Sequence, residues 1–245
     1  MYICTRIECT LISSMIKQFH HTGFLPIETL VQKKHENGRR ISVIIPALNE
    51  AATIGPIIAT IRQELVESRH LVDELLVVAG KSSDNTEAVA RREGATVFCI
   101  DEIGPGVATC TGKGTALWKA LHVAQGNIIV SIDADITNFD SRFVYGLIGP
   151  LLSDDSISFA KAYYKRPLMF DKAALENYGG RVTEILVRPF LSTFYPELAG
   201  LHQPLSGEYS FRRELVDDIQ FPSGYSIEIG IILSLYKKYG LDIFA

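Results

Sequence analysis

The sequence predicts an α/β protein: a doubly wound, mostly parallel β-sheet with an appended second part. Three observations predict it. Short aliphatic runs occur at 41–46, 74–79, 95–100 and 127–132, each of strand length. Amphipathic helical patterns lie between them. Strands that alternate with helices at this spacing pair in parallel through right-handed crossovers.

The elements follow in order. A helix is expected at Ile27–Glu36, ended by Asn37-Gly38, whereas the first fifteen residues carry no usable pattern. The β-branched run from Ile41 is a buried strand stopped by Pro46. A helix then starts at Asn49 or Ala51 and runs to Arg69, with Ile54, Ile57, Ile58, Ile61 and Leu65 on one face. Residues 74–79, 95–100 and 127–132 are further strands, and 84–93 and 113–124 are helices. Residues 151–245 alternate less regularly and are expected to form a second layer. The chain thus divides into 1–40, 41–150 and 151–245.

Composition limits the function. With 245 residues, 47% hydrophobic and 21% charged, the chain is an ordinary globular one able to bury a core. A net charge of −4 leaves no basic surplus for nucleic acid, while anionic small molecules stay open. Cys4, Cys9, Cys99 and Cys110 fit neither zinc spacing nor a disulfide framework, which points to the cytoplasm. No apolar run approaches the ~20 residues of a membrane span, and no signal pattern opens the chain, so no membrane partner is expected.

Ligands on such sheets bind beyond the carboxyl ends of the strands. Asp133-Ala134-Asp135 stands there, directly after the fourth strand. Two carboxylates at i and i+2 suit Mg²⁺ or Mn²⁺ shared with substrate phosphates, although the same residues also suit a turn or helix cap. Pro46-Ala47-Leu48-Asn49-Glu50 ends the first strand, where a short loop can meet a base and ribose; Asn49 can equally cap the next helix. Gly112-Lys113-Gly114 opens a helix, and its glycines and lysine suit a diphosphate. It is no P-loop: five residues rather than four separate Gly106 from Gly112, and Gly114 replaces the required Ser or Thr. In Gly179-Gly180-Arg181-Val182-Thr183-Glu184 an arginine, a hydroxyl and helix-start N–H groups make an anion site, or else a linker before a salt-bridged helix. Glu228, inside an apolar helix, costs free energy unless paired, which favours a functional role. His20-His21 do not face the same way and are not read as a ligand pair.

Together these motifs resemble the glucosyl-3-phosphoglycerate synthase family. The resemblance rests on Ile44-Ile-Pro-Ala-Leu-Asn-Glu50, Asp73-Glu74, the stretch from Ser82 to Thr86, Gly112-Lys-Gly-Thr-Ala-Leu-Trp118 and Asp133-Ala-Asp135. It rests equally on Tyr163-Tyr-Lys-Arg-Pro167, Gly179-Gly-Arg-Val-Thr-Glu184, Gln203-Pro-Leu-Ser-Gly-Glu-Tyr209 and Tyr225-Ser-Ile-Glu-Ile-Gly230. It extends from about Phe19 to the last residue, and mannosyl-3-phosphoglycerate synthase shares most of these motifs.

The resemblance implies a GT-A-type nucleotide-diphospho-sugar transferase fold, with 41–150 binding the nucleotide sugar and 151–245 the acceptor. It implies retaining transfer of glucose from UDP- or GDP-glucose to the 2-hydroxyl of 3-phosphoglycerate, by a homodimer. Pro46, Ala47, Leu48, Glu50, Gly80, Lys113 and Asp133 would form the donor nucleotide site. Asp135, with Asp133, would hold Mg²⁺ or Mn²⁺. Leu205, Tyr225 and Glu228 would line the sugar pocket, and Gly180, Arg181 and Thr183 would grip phosphoglycerate. Glu228, Lys113 and Arg181 are the catalytic expectation, with no protein nucleophile and a front-face path in which the leaving phosphate helps deprotonate the acceptor.

Two departures accompany the resemblance. Where the family often reads Asp-Ser-Gly-Ser, this chain reads Ala79-Gly80-Lys81-Ser82, so a side-chain contact to the base is lost at Gly80. Family members also continue past the position of Ala245 to a metal-binding histidine, which leads to the expectation of weak nucleotide binding and poor turnover. The rival readings are mannosyl transfer, an inverting polyprenyl-phosphate glycosyltransferase and an inactive nucleotide-binding fragment. A nucleotidylyltransferase would need a glycine-rich loop where Ala47-Leu48-Asn49-Glu50 stands.

Overall fold

Alternation along the first strand sets the layers. In β1 (Ile41–Ala47), Ile41, Val43 and Ile45 face one hydrophobic cluster and Ile44 faces another, so the strand is buried on both sides. β2 (Glu74–Ala79) and β3 (Thr96–Cys99) pair in parallel on one edge of β1, and β4 (Ile128–Ser131) pairs in parallel on the other. The computed structural model describes residues 16–104, 112–164, 166–170, 173–177, 180–219, 221–222 and 224–245, without the side chains of 166–170, 173–177 and 225.

The full sheet runs β3-β2-β1-β4-β8-β5, where β5 is Phe159–Lys161 and β8 is Tyr209–Arg212. Part of residues 151–245, expected as a second layer, belongs to the same sheet: β8 joins β4 antiparallel and β5 joins β8, completing it. The cause is pattern. β8 is buried at all four positions, including Ser210 and Arg212, so it shows neither alternation nor a long aliphatic run. β6 (Arg166–Phe170) and β7 (Ala173–Asn177) form a separate antiparallel pair.

Helices cover both faces. On one lie α1 (Ile27–Glu36), α2 (Ile54–Thr60, continued as a π-helical turn at Ile61–Glu67), α3 (Thr86–Arg92) and α5 (Arg142–Ser153). On the other lie α4 (Lys113–Val123) and α7 (Ile227–Tyr239). A further helix runs through Thr183–Val187 into α6 (Arg188–Phe194).

Helix α2 starts at Ile54, later than expected, and Asn49 is not its cap. Asn49 sits in the left-handed region (φ 59°) and its side-chain oxygen accepts from the Ser83 N–H at 2.7 Å. The turn is closed instead by the Glu50 carbonyl, which accepts from the Thr53 and Ile54 N–H groups. Helix α5 has no counterpart among the expected elements, because Gly146, Gly149 and Pro150 interrupt its apolar run. The ring of Phe24 occupies the space beside Gly149, only 2.4 Å from where a Cβ would stand.

Candidate active site

The strand order switches sides between β1 and β4, since β2 and β3 lie to one side of β1 and the parallel β4 to the other. The crevice beyond their carboxyl ends is where an open α/β sheet takes a ligand. It is built from the loops after β1, β2 and β4, the start of α4 and the start of α7.

After β1, the Pro46–Glu50 loop is anchored to the β2 side. The Gly80 N–H donates to the Ala47 carbonyl at 2.8 Å, the Glu50 N–H to Thr86 Oγ1 at 2.8 Å and the Ala51 N–H to Asp84 at 3.1 Å. Leu48 is left 54% exposed, an apolar platform at the rim, and Gly80 lies against it: a Cβ there would sit 3.0 Å from Leu48 Cδ1. Burial raises the Glu50 carboxyl, the Thr53 hydroxyl opposes this, and the carboxylates of Asp135, Asp84 and Asp133 raise it further. Glu50, Asp133 and Asp135 thus share one negative field.

After β4, Asp133 is half-buried and Asp135 exposed. Lys113, the first residue of α4, places its Nζ 2.5 Å from Asp133 Oδ1 and 2.7 Å from Glu228 Oε1. Burial would lower this lysine, but Asp133 and Glu228 outweigh it and hold the ammonium well above the ordinary lysine range. Glu228 is 4% exposed in the first turn of α7, and Lys113 is the partner its burial demands.

The glycines around Lys113 act differently from the expectation that they open the backbone to a diphosphate. A Cβ on Gly112 would stand 2.9 Å from the Gly224 backbone, and one on Gly114 2.1 Å from the Pro222 carbonyl. They admit another stretch of chain, and that contact delivers Glu228 to Lys113.

Other expected residues divide. Pro46, Ala47, Leu48, Glu50, Gly80, Lys113, Asp133, Asp135 and Glu228 border the crevice. Gly180 and Arg181 are exposed and Thr183 is buried at the start of the helix that leads into α6, and Arg181 has no ion pair among the described residues. Leu205 lies in the 203–207 turn, packed against the second hydrophobic cluster. The Tyr225 side chain, Gly179 and Lys165 lie outside the described residues.

Gly207 has no role expected from the sequence, although it lies in the Gln203–Tyr209 motif. Its Cβ would come within 2.0 Å of Asp133 Oδ1 and 2.3 Å of Lys113 Nζ, so only glycine lets the turn lie against that pair. The signal is a glycine two residues before a fully buried strand.

Two carboxylates and no third grouped His, Cys, Asp or Glu among the described residues fit a hard cation completed by phosphate oxygens. Among the described residues, Asp135 has no side-chain hydrogen bond or ion pair, whereas Asp133 is shared with Lys113. A cavity of about 550 Å³ lies elsewhere, between residues 16–21, α5, residues 160–164 at the end of β5 and residues 200–203, and includes none of Asp133, Lys113 or Glu228. Among the described residues, no helix is long and apolar enough to cross a membrane.

Comparison with known proteins agrees with this geometry. Residues 42–216 match the model of the family described as Glycosyl transferase family 2. Glucosyl-3-phosphoglycerate synthase of Petrotoga mobilis is 43% identical over 229 residues, covering 94% of this chain and 70% of that protein. Mannosyl-3-phosphoglycerate synthase from Rubrobacter xylanophilus superposes with a TM-score of 0.84 at 41% identity, covering 91% of this chain and 70% of that one. Glucosyl-3-phosphoglycerate synthase from Mycobacterium tuberculosis, solved with Mn²⁺, UDP and phosphoglyceric acid, gives 0.78 at 40% identity over 89% of this chain and 71% of that one. The sheet order, the carboxylate–lysine crevice and these likenesses together place the chain, with its GT-A-type fold, in the glucosyl-3-phosphoglycerate synthase family of hexosyltransferases within glycosyl transferase family 2.

Proposed function

We propose that this chain transfers glucose from UDP-glucose to the 2-hydroxyl of 3-phosphoglycerate, retaining the anomeric configuration. The observation that carries the reading is the Asp133–Lys113–Glu228 chain of charges at the β1/β4 switch point. The likeness to the M. tuberculosis enzyme solved with Mn²⁺, UDP and phosphoglyceric acid supports the ligand classes.

In this reading the Pro46–Glu50 loop and Gly80 hold the base and ribose, and the Lys113 ammonium faces the diphosphate. Asp135, with Asp133, would hold Mg²⁺ or Mn²⁺; such an ion supplies Lewis-acid neutralisation of the departing diphosphate. Glu228, fixed by Lys113, orients the sugar with Leu205 and Tyr225. The exposed Arg181 guanidinium, with Gly180 and Thr183, receives the acceptor's phosphate or carboxylate as a planar fork suits. Glu228 is tied up in its ion pair and is poorly placed to act as a nucleophile. The acceptor proton therefore goes to the leaving phosphate on the same face, which gives retention.

A second reading, mannose as the transferred sugar, is favoured by the Rubrobacter likeness. Gly80 offers the base no side chain, so GDP donors are part of the same test. The experiment is a coupled assay of nucleoside diphosphate release with 3-phosphoglycerate, Mg²⁺ or Mn²⁺, and UDP-glucose, GDP-glucose or GDP-mannose, beside Asp135→Ala. Release that requires 3-phosphoglycerate, is greatest with UDP-glucose and vanishes in the variant is expected, with an α-linked product by NMR. Release indifferent to the acceptor, or none with any donor, overturns the reading.

A further inference from the structure

Lys161 ends β5 on the far side of β8 from β4, and its side chain is almost wholly buried. Its Nζ donates to the Ser206 carbonyl and, at 2.6 Å, to Ser206 Oγ, and lies 5.5 Å from the centre of the Tyr209 ring. A buried ammonium is costly, and a lysine in this place calls for a use. Burial pulls it down to about 8 against the opposing pull of Glu208 and Glu228.

The use lies in what Ser206 carries. It belongs to the 203–207 turn, whose next residue, Gly207, lies against Asp133 and Lys113 closely enough to exclude a methyl group. The end of β5 is zipped to this turn at several points. The Ala162 N–H donates to the Glu208 carbonyl at 3.0 Å, Ser206 Oγ to the Ala162 carbonyl at 3.3 Å, and the Gln203 side chain meets both backbone groups of Tyr164. Among the described residues, Lys161 is the charged donor to the turn.

We infer that Lys161 is a positioning residue for sugar transfer: through Ser206 it fixes the height of the 203–207 turn, and so the gap between Gly207, Leu205 and the Asp133–Lys113 pair. It touches no substrate. The base and ribose site, on the Pro46–Glu50 loop after β1, is separated from β5 by β8 and β4, and Lys113 stays held by Asp133 and Glu228, so loss of Lys161 acts on the transfer step far more than on nucleotide affinity.

The inference rests on the transferase reading, which is judged first on the wild-type chain. If no donor–acceptor pair releases nucleoside diphosphate there, reading and inference fall together. With an active wild type, three variants decide. Lys161→Met is expected to lower kcat by ten- to a hundredfold while the Kd for UDP with Mn²⁺ changes less than twofold. Lys161→Gln keeps an amide donor for the Ser206 carbonyl and is expected to recover most of that loss. Wild-type kcat in Lys161→Met, no recovery in Lys161→Gln, or a UDP Kd that worsens in step with kcat each overturn the inference and leave the transferase reading intact. Should Lys161→Met not fold, Ser206→Ala decides: a several-fold fall in kcat at unchanged UDP Kd upholds the inference, and a wild-type kcat overturns it.

Discussion

At Gly207 a single hydrogen in place of a methyl keeps the turn in contact with the ion pair beneath it. An added Cβ would meet Asp133 Oδ1 at 2.0 Å and Lys113 Nζ at 2.3 Å, and those side chains can only give way by parting. Gly207→Ala is therefore expected to cost about 1–3 kcal/mol of stability as overpacking. Displacing groups at the reacting centre by about an ångström should lower kcat on the order of a hundredfold. Urea unfolding and steady-state rates measure the two, and a variant equal to wild type in both would contradict the close approach. Lys161 gives a pH signature. Its folded value is about 8, against 10.5 when the chain unfolds. Between these values the unfolded state binds more protons, so stability gained above 10.5 is lost as pH falls through 8, by about 3 kcal/mol at most. Unfolding free energy should rise from pH 7.5 to 9.5 more steeply in wild type than in Lys161→Met; equal slopes would mean the amine is not desolvated as described.

Helix α4 shows how an element holds the site from its far end. Its first residue is Lys113, and past its last turn Arg213 donates to the carbonyls of Leu121, Ala124 and Gly126. The Leu121 and Ala124 carbonyls are ones a helix end leaves without partners, met by a cation where the helix dipole favours one. Arg213→Ala is expected to lower stability by about 2 kcal/mol, as loss of charged hydrogen bonds does, with the Kd for UDP weakened several-fold because α4 carries Lys113. Chemical denaturation and calorimetry would show it; intact stability would mean that water replaces the guanidinium without loss. At this scale the sequence was legible where burial is two-sided and aliphatic. β1, β2 and β4, with α1 and α4, follow directly from periodicity. It was illegible where polar residues are buried by tertiary partners. Ser210 and Arg212 hide β8, because Ser210 donates to the Leu147 carbonyl and Arg212 to those of Ile157 and Leu151. The site divides the same way. Asp133, Asp135 and Lys113 stand at strand and helix ends where the fold class puts ligands, whereas Lys161 and Gly207 matter only through contacts between β5, the turn and β4.

The six-stranded sheet carries a hydrophobic cluster on each face, and the crevice draws on both. Glu50 and Leu48 follow β1 between α2 and β2, while Lys113 and Glu228 come from α4 and α7 on the opposite face. A ligand bound across the crevice therefore ties together elements that would otherwise separate on unfolding, and its binding free energy adds to global stability. For UDP with Mn²⁺ at a hundred times Kd the gain is about 2.7 kcal/mol. In a chain of this size each kcal/mol moves Tm by roughly 2–4 °C, so a rise of about 5–11 °C is expected. Mn²⁺ alone should give a small part of it, since two carboxylates without phosphate oxygens make an incomplete shell. Asp135→Asn removes an exposed carboxylate that has no partner among the described residues, so its own stability should stay within about 0.5 kcal/mol of wild type. The same variant should lose the increment that Mn²⁺ adds to UDP, and keep the part due to UDP alone. A variant that retains the full Mn²⁺-dependent shift would move the cation away from Asp135, and one that loses the UDP shift as well would make Asp135 a nucleotide contact in its own right.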